Sequence, residues 1–236
     1  MKIMHLYYDI MNLYGDYGNV SVIERVLTQS GADCEVVKKS LGDSVDFAKY
    51  DFVFIGSGTE RNQKLVLDDF KKHKEAFKNY IESGKPALFT GNSFEMLGKS
   101  ITDCEGKAYD GLGLFGFFTI EQNKKRMTAD AVFDSEFLEK TLVGFINKCS
   151  EVFGVERHAF TVRRGLADNS DEKYEGIKYN NFIGTHLTGP VLVKNPHFAE
   201  YFAKIILGKD PNTDCLEFSK KGYIITLSEL NKEQQP

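Results

Sequence analysis

Cysteine is sparse in this chain. The four cysteines among 236 residues, Cys34, Cys104, Cys149 and Cys215, form no C-x-x-C pair. That scatter argues against zinc binding or a redox motif, and free thiols in a reducing compartment are the expectation. No apolar stretch approaches the ~20 residues needed to cross a bilayer. Met1-Lys2-Ile3-Met4-His5 reads as the start of a strand rather than a signal peptide, so a cytoplasmic protein without a membrane span is expected. Excess positive charge is missing as well. A net charge of −4 argues against a nucleic-acid surface. No internal repeat or interdomain linker is visible, so residues 1–208 read as one domain and 209–236 as a C-terminal extension, frayed from Leu230.

What is present alternates. Ile3 to Tyr8 reads as a strand, Val20 to Gln29 as a helix, Cys34 to Lys38 and Phe52 to Ile55 as further strands, and Lys64 to Ser83 as a long helix. That helix stops at Gly84-Lys85-Pro86, a glycine stop followed by a proline breaker. Ala87 to Phe89 is then a buried strand. The fold class expected is α/β: a mainly parallel central sheet flanked by helices in a flavodoxin-like three-layer arrangement. Added antiparallel strands are expected from the β-like runs at Leu114–Ile120, Met127–Phe133, Thr141–Ile146, Ala159–Val162 and Phe182–Leu187. A last helix is expected from near His197 to Gly208. Phe115 and Phe117 share a period-2 face and read as core. Asp168 to Lys173 reads as a polar loop.

Ligand chemistry in such a sheet belongs at the carboxyl ends of the strands. Gly56-Ser57-Gly58 and Gly91-Asn92-Ser93 both fall there. The second has the shape of a nucleophile elbow, a strand–turn–helix that lifts one side chain above backbone N–H groups. The elbow carries no nucleophile; Gly91 stands at its tip.

Six segments in this order, Leu13-Tyr-Gly-Asp-Tyr-Gly-Asn19, Phe54-Ile-Gly-Ser-Gly-Thr-Glu-Arg-Asn-Gln63, the elbow, Gly111-Leu-Gly-Leu114, Lys125-Arg-Met-Thr128 and Gly184-Thr-His-Leu-Thr-Gly-Pro190, carry a family likeness. Together they resemble the class I glutamine amidotransferases of the cobyric acid synthase type, most of all the glutaminase subunits of lipid II isoglutaminyl synthase. The likeness runs from about Lys2 to about Leu207. It implies glutamine as ligand and a Mur-ligase-like synthetase as partner; no cofactor and no metal are expected.

The resemblance also defines what has changed. In that family the elbow reads cysteine followed by two glycines, where this chain has Gly91, Asn92 and Ser93. The family's catalytic histidine precedes the late Gly-Pro pair, where Thr188 stands; His186 lies two residues earlier, on the same strand face. Asn147-Lys148-Cys149 occupies a stretch where the family often has a histidine followed by small residues. Glutamine hydrolysis needs a thiolate, an imidazole to move the proton and donors for the oxyanion. A glycine cannot attack, and a threonine cannot shuttle protons near neutral pH.

Of the remaining parts, Arg126 matches a family arginine that holds the glutamine α-carboxylate, and backbone donors at Gly58 and Asn92 are expected to survive. Weak amino-acid binding through these groups follows. Asp16 has two readings, an acid near the site or a turn-and-capping residue, and the second is favoured. Ser93 and His186 are the substitutes available to a rearranged mechanism, with Cys149 as a further thiol, although Ser93 more simply caps a helix start. Two functions remain open. One is a noncatalytic, glutamine-binding or partner subunit. The other is a working amidotransferase with a rearranged site, serving cell-wall (lipid II) or cobamide amidation.

Overall fold

The computed structural model describes residues 1–122 and 126–232; Lys124, Lys125 and the last four residues of the expected frayed tail lie outside them. Its first half follows the alternation expected. Strand β1 (Lys2–Leu6), helix α1 (Tyr17–Gln29), strands β2 (Glu35–Lys39) and β3 (Phe52–Ile55), helices α2 (Glu60–Phe70) and α3 (Lys74–Glu82) and strand β4 (Ala87–Thr90) succeed one another. The second half is richer in strand: β5 (Ser100–Thr102), β6 (Ala108–Asp110), β7 (Phe118–Glu121), β8 (Met127–Asp134), β9 (Leu142–Lys148), β10 (Ser150–Phe153), β11 (His158–Arg164), β12 (Tyr174–Tyr179), β13 (Phe182–Thr185) and β14 (Leu187–Thr188). Helices α4 (Val191–Lys194), α5 (Pro196–Leu207) and α6 (Glu217–Lys232) close the described chain.

Ten strands form one sheet in the order β14-β9-β8-β11-β12-β13-β4-β3-β1-β2. The run from β2 to β13 is parallel, and every pairing from β13 outward to β14 is antiparallel. A smaller sheet, β10-β7-β5-β6, covers one end. The mixed sheet and its flanking helices match the α/β expectation.

Strand alternation builds the two cores. Val53 and Ile55 of β3 and Phe89 of β4 face α2 and α3, packing with Val66, Leu67, Phe70 and Phe77. Phe52, Phe54 and Leu88 face the opposite way, toward Val22, Ile23 and Val26 of α1 and Phe198 and Phe202 of α5. A strand buried on both faces reads as a continuous apolar run, as Phe52 to Ile55 does. Helix α5 starts with Pro196 and ends on Gly208 at φ +67°, the usual start and stop residues of a helix.

Three expectations on helices are corrected. The single helix over Lys64–Ser83 is two, broken by a 3-10 turn at Lys71–His73; the tighter turn sets Phe70 and Phe77 5.2 Å apart on one core face. The elbow opens a seven-residue 3-10 run, Gly91–Leu97, rather than leading into an α-helix starting at Phe94. Residues 217–232 form α6, with Tyr223 and Leu230 buried and the Tyr223 hydroxyl donating to the Thr141 carbonyl at 2.9 Å. Leu230 is therefore anchored. Strand β7 starts at Phe118, so Leu114–Phe117 is loop, with Phe117 buried and Phe115 stacked against Phe182. Asp168 and Asn169, expected in a polar loop, are buried.

Phe89 joins the core most tightly, stacked on Phe77 at 5.1 Å and edge-on to Phe182 at 5.2 Å. Truncation there leaves a cavity that its neighbours cannot fill. Phe89→Ala is expected to lower unfolding free energy by ~3–5 kcal/mol in urea titration, whereas Phe218→Ala, at an 83 % exposed position, leaves it unchanged.

Candidate active site

The carboxyl ends of β3 and β4 meet at one cleft. Tyr14, Ser57, Gly58, Glu60, Gly91, Asn92, Arg126, Cys149 and Thr188 are among its lining residues. Gly91 and Thr188 thus lie across the same cleft, although 97 positions separate them (188 − 91). The space between these groups amounts to only about 10 Å³, room for about one water.

Ser57 accounts for part of that closure. Gly91 adopts φ +62°, a left-handed conformation that costs a residue with a Cβ. A Cβ built on it meets Ser57 Oγ at 2.1 Å and Ser57 Cβ at 2.7 Å. The serine side chain occupies the volume into which a side chain at position 91 projects. Ser57 Oγ is itself buried and makes no hydrogen bond.

Asn92 fills the next position. Its Oδ1 accepts the Gly58 N–H at 3.0 Å, and its Nδ2 donates to the Gly58 carbonyl at 3.0 Å. The Gly58 donor expected to remain available for an oxyanion is therefore taken. Arg126 is likewise engaged. It donates to Glu60 Oε1 at 2.6 Å, to Asn147 Oδ1 at 2.6 Å and to the Asn147 carbonyl at 3.1 Å. Glu60 also accepts from Cys149 Sγ at 3.1 Å. Burial opposes the Glu60 charge, but the Cys149 and Arg126 bonds outweigh it and hold its carboxyl below the usual range. Burial and the Glu60 contact push the Cys149 thiol up to about 12, so it stays protonated and unreactive at neutral pH.

The other two candidate substitutes point elsewhere. Ser93 is fully buried, with its hydroxyl donating to the Ile55 and Thr90 carbonyls at 3.2 and 2.8 Å. His186 is 1 % exposed and packs edge-on against Phe94 at 4.7 Å, behind the cleft rather than in it. Its Nε2 contacts Glu95 Oε1 at 2.9 Å. Glu95 in turn accepts from Gln63 Nε2 at 2.8 Å and Ser150 Oγ at 2.5 Å. Thr188 donates to the Phe145 carbonyl at 3.1 Å.

Asp16 is a brace. Its Oδ2 accepts the Ser57 N–H at 2.7 Å and its Oδ1 the Thr90 hydroxyl at 3.2 Å, tying the ends of β3 and β4 together. It makes no side-chain cap to α1, so the capping expectation gives way to a cross-strand tie. Sequence spacing carried no signal for that tie, because its partners lie 41 and 74 residues away. Nor did it mark Glu60, Glu95 or Asn92 as the partners that close the cleft. Ser57, a side chain between two glycines opposite the elbow, was the one readable sign.

A parallel sheet whose strand ends carry a glycine-rich loop opposite an elbow defines the class I glutamine amidotransferase fold. Solved structures of that architecture agree. PurLQS from Thermotoga maritima superposes with a TM-score of 0.59 at 16 % identity, over 88 % of this chain and 97 % of that one. The glutaminase domain of Trypanosoma brucei CTPS with bound acivicin gives 0.54 at 10 % identity, over 89 % and 95 %. Within this class, residues 2–196 match the CobB/CobQ-like glutamine amidotransferase domain, and the chain belongs to that family. It is 32 % identical over 216 residues to the lipid II isoglutaminyl synthase (glutamine-hydrolyzing) subunit GatD of Streptococcus pneumoniae, covering 91 % of this chain and 83 % of that protein. To the subunit of the same name in Staphylococcus aureus it is 34 % identical over 204 residues, covering 85 % and 82 %.

The brace carries a pH signature. Burial outweighs the Ser57 and Thr90 bonds and raises Asp16 from 3.8 to about 6. A raised acid binds its proton more tightly when folded, so its contribution to stability is fully present below pH 4. It is lost as pH rises to about 6, an effect of ~3 kcal/mol. Asparagine can accept the Ser57 N–H through its Oδ1 and donate to the Thr90 hydroxyl through its Nδ2, without titrating. The stability difference between wild type and Asp16→Asn, from denaturant titrations at pH 4 to 7, is expected to shift toward the variant as pH rises through that window. A constant difference contradicts the assignment.

Proposed function

We propose that this chain is a noncatalytic member of its family, a subunit that keeps the amidotransferase fold and has lost glutamine hydrolysis. The observation that carries the reading is the Ser57–Gly91 contact, since the volume of the family's nucleophile is filled by a neighbouring side chain. The base position supports it too: Thr188 has no titratable proton near neutrality and spends its hydroxyl on a backbone carbonyl. A rearranged mechanism finds no support, because Ser93 is bonded away from the cleft, His186 is buried behind it against Glu95, and Cys149 is held as a thiol.

The partner reading rests on the relatives, which are named as subunits of a glutamine-hydrolyzing synthase. We place this chain beside a Mur-ligase-like synthetase, contributing surface rather than ammonia. Cell-wall chemistry is favoured over cobamide amidation because both of these relatives act in lipid II amidation by name.

Restoration tests the carrying observation. Gly91→Cys with Thr188→His puts thiol and imidazole back across the cleft but leaves Ser57 in the way. Labelling of residue 91 by a glutamine-mimicking electrophile is expected to stay near background in that double variant. Adding Ser57→Gly is expected to raise it by about tenfold or more, a change of ~1.4 kcal/mol in effective barrier. Equal labelling of both folded variants contradicts the reading.

Ligand binding gives a second test. Arg126 is neutralised by Glu60, and the cleft has room for about one water. Calorimetry with glutamine up to about 10 mM, a range that detects complexes worth about −4 kcal/mol, is expected to show no binding. A saturating isotherm abolished by Arg126→Ala overturns the closed-cleft account.

A further inference from the structure

Behind the cleft, three late segments bring a second group of ionisable side chains together. Asp168 follows β11, Glu175 lies on β12 and His186 joins β13 to β14. All three are at most 1 % exposed, and one donor atom from each lies within 4.8 Å of the others. His186 Nδ1 is 3.3 Å from Glu175 Oε1 and 4.0 Å from Asp168 Oδ1. Neither His186 Nδ1 nor Asp168 Oδ2 has a hydrogen-bond partner, although both are buried. Buried polar atoms are seldom left so.

We propose that these three side chains form a binding site for one divalent cation, Zn²⁺ by the chemistry of its donors. The 3.3 Å between His186 Nδ1 and Glu175 Oε1 suits atoms that share an ion at bond lengths of about 2.0–2.2 Å, Asp168 at 4.0 Å has to close in by about half an ångström to join them, and a mixed set of imidazole and carboxylate is of the kind zinc takes. The supports of the donors have the form such a site needs. His186 Nε2 contacts Glu95 Oε1 at 2.9 Å; with the ring proton on Nε2 and donated to Glu95, the Nδ1 lone pair is left facing the two carboxylates. Glu175 accepts from the His186 N–H at 2.6 Å and the Thr185 hydroxyl at 2.7 Å, and Asp168 Oδ1 from the Gly176 N–H at 3.0 Å. Each carboxylate is thus oriented by the protein and keeps lone pairs for an ion.

The charge count points the same way. Glu95, Asp168 and Glu175 bring three negative charges, and Lys148 supplies one positive, its Nζ donating to the Ala167 and Asp168 carbonyls at 2.5 and 2.8 Å. With a neutral imidazole the cluster carries −2 (−3 + 1), which a divalent ion balances. His158, with Nδ1 at 3.5 Å from Asp168 Oδ2, borders the site on its outer side. A proton on His186 Nδ1 is the competing occupant, and it leaves the cluster at −1. The proposal is independent of whether the cleft hydrolyses glutamine.

Elemental analysis decides between the two. The full chain, produced with Zn²⁺ in the medium, freed of any affinity tag and desalted without chelator, is expected to carry about one Zn²⁺ per chain. Stripping with a chelator is expected to lower Tm by about 5 °C or more, reversed by added Zn²⁺. Asp168→Asn and Glu175→Gln, each checked for folding by circular dichroism, are expected to fall below about 0.1 equivalent, while Cys104→Ala, at an exposed thiol, retains the ion. The proposal is overturned by wild-type protein with less than about 0.1 equivalent and a Tm indifferent to Zn²⁺. Zinc retained by both carboxylate variants also overturns it, as does a nitrogen-15 spectrum of the Zn²⁺-supplemented protein with both His186 ring nitrogens protonated.

Discussion

The site is organised by a steric constraint between two strand ends. Parallel pairing of β3 and β4 sets Ser57 against Gly91, and the distance between them leaves no volume for a side chain at the elbow. The elbow's backbone retains φ +62°, the conformation that would lift a nucleophile. Backbone shape and side-chain content have therefore separated. The scaffold is an amidotransferase, while the reactive volume is packed like a core. Interiors resist extra atoms, so a side chain at position 91 requires Ser57 to move.

Neighbouring polar groups extend that closure. A backbone donor that would face an oxyanion is satisfied by Asn92, and the guanidinium that would face a carboxylate is satisfied by Glu60. Each pairing removes an unsatisfied group from a half-buried cleft, where leaving it unpaired costs ~1–3 kcal/mol. Asp16, buried at the junction, holds the two strand ends in register by two hydrogen bonds.

Much of this was legible in the residues. Apolar runs at Phe52–Ile55 and Ala87–Phe89, with glycine-rich ends, located the parallel core and its ligand-bearing edge. Gly91 and Thr188, placed by the ordered motifs, do line one cleft. Other features rest on contacts between distant positions that spacing does not encode. Arg126 reads as a carboxylate ligand until Glu60, 66 residues earlier, is seen to occupy it. His186, two positions from Thr188, reads as able to face the cleft; the strand break between β13 and β14 sends it to Glu95 and Glu175 instead. The break at Lys71–His73 contains no proline or glycine, and α6 carries exposed Phe218, Ile224 and Ile225 on its surface, so neither shows a simple periodic signature.

The central claim is that the fold persists without its chemistry. The most direct measurement is glutamate release from glutamine by the purified protein, alone and with the proposed synthetase partner, over hours at high enzyme concentration. The account predicts a rate no greater than that of buffer, unchanged by Ser93→Ala, Cys149→Ala or His186→Ala. Release above buffer that one of these substitutions abolishes, in a variant shown to be folded, would contradict it.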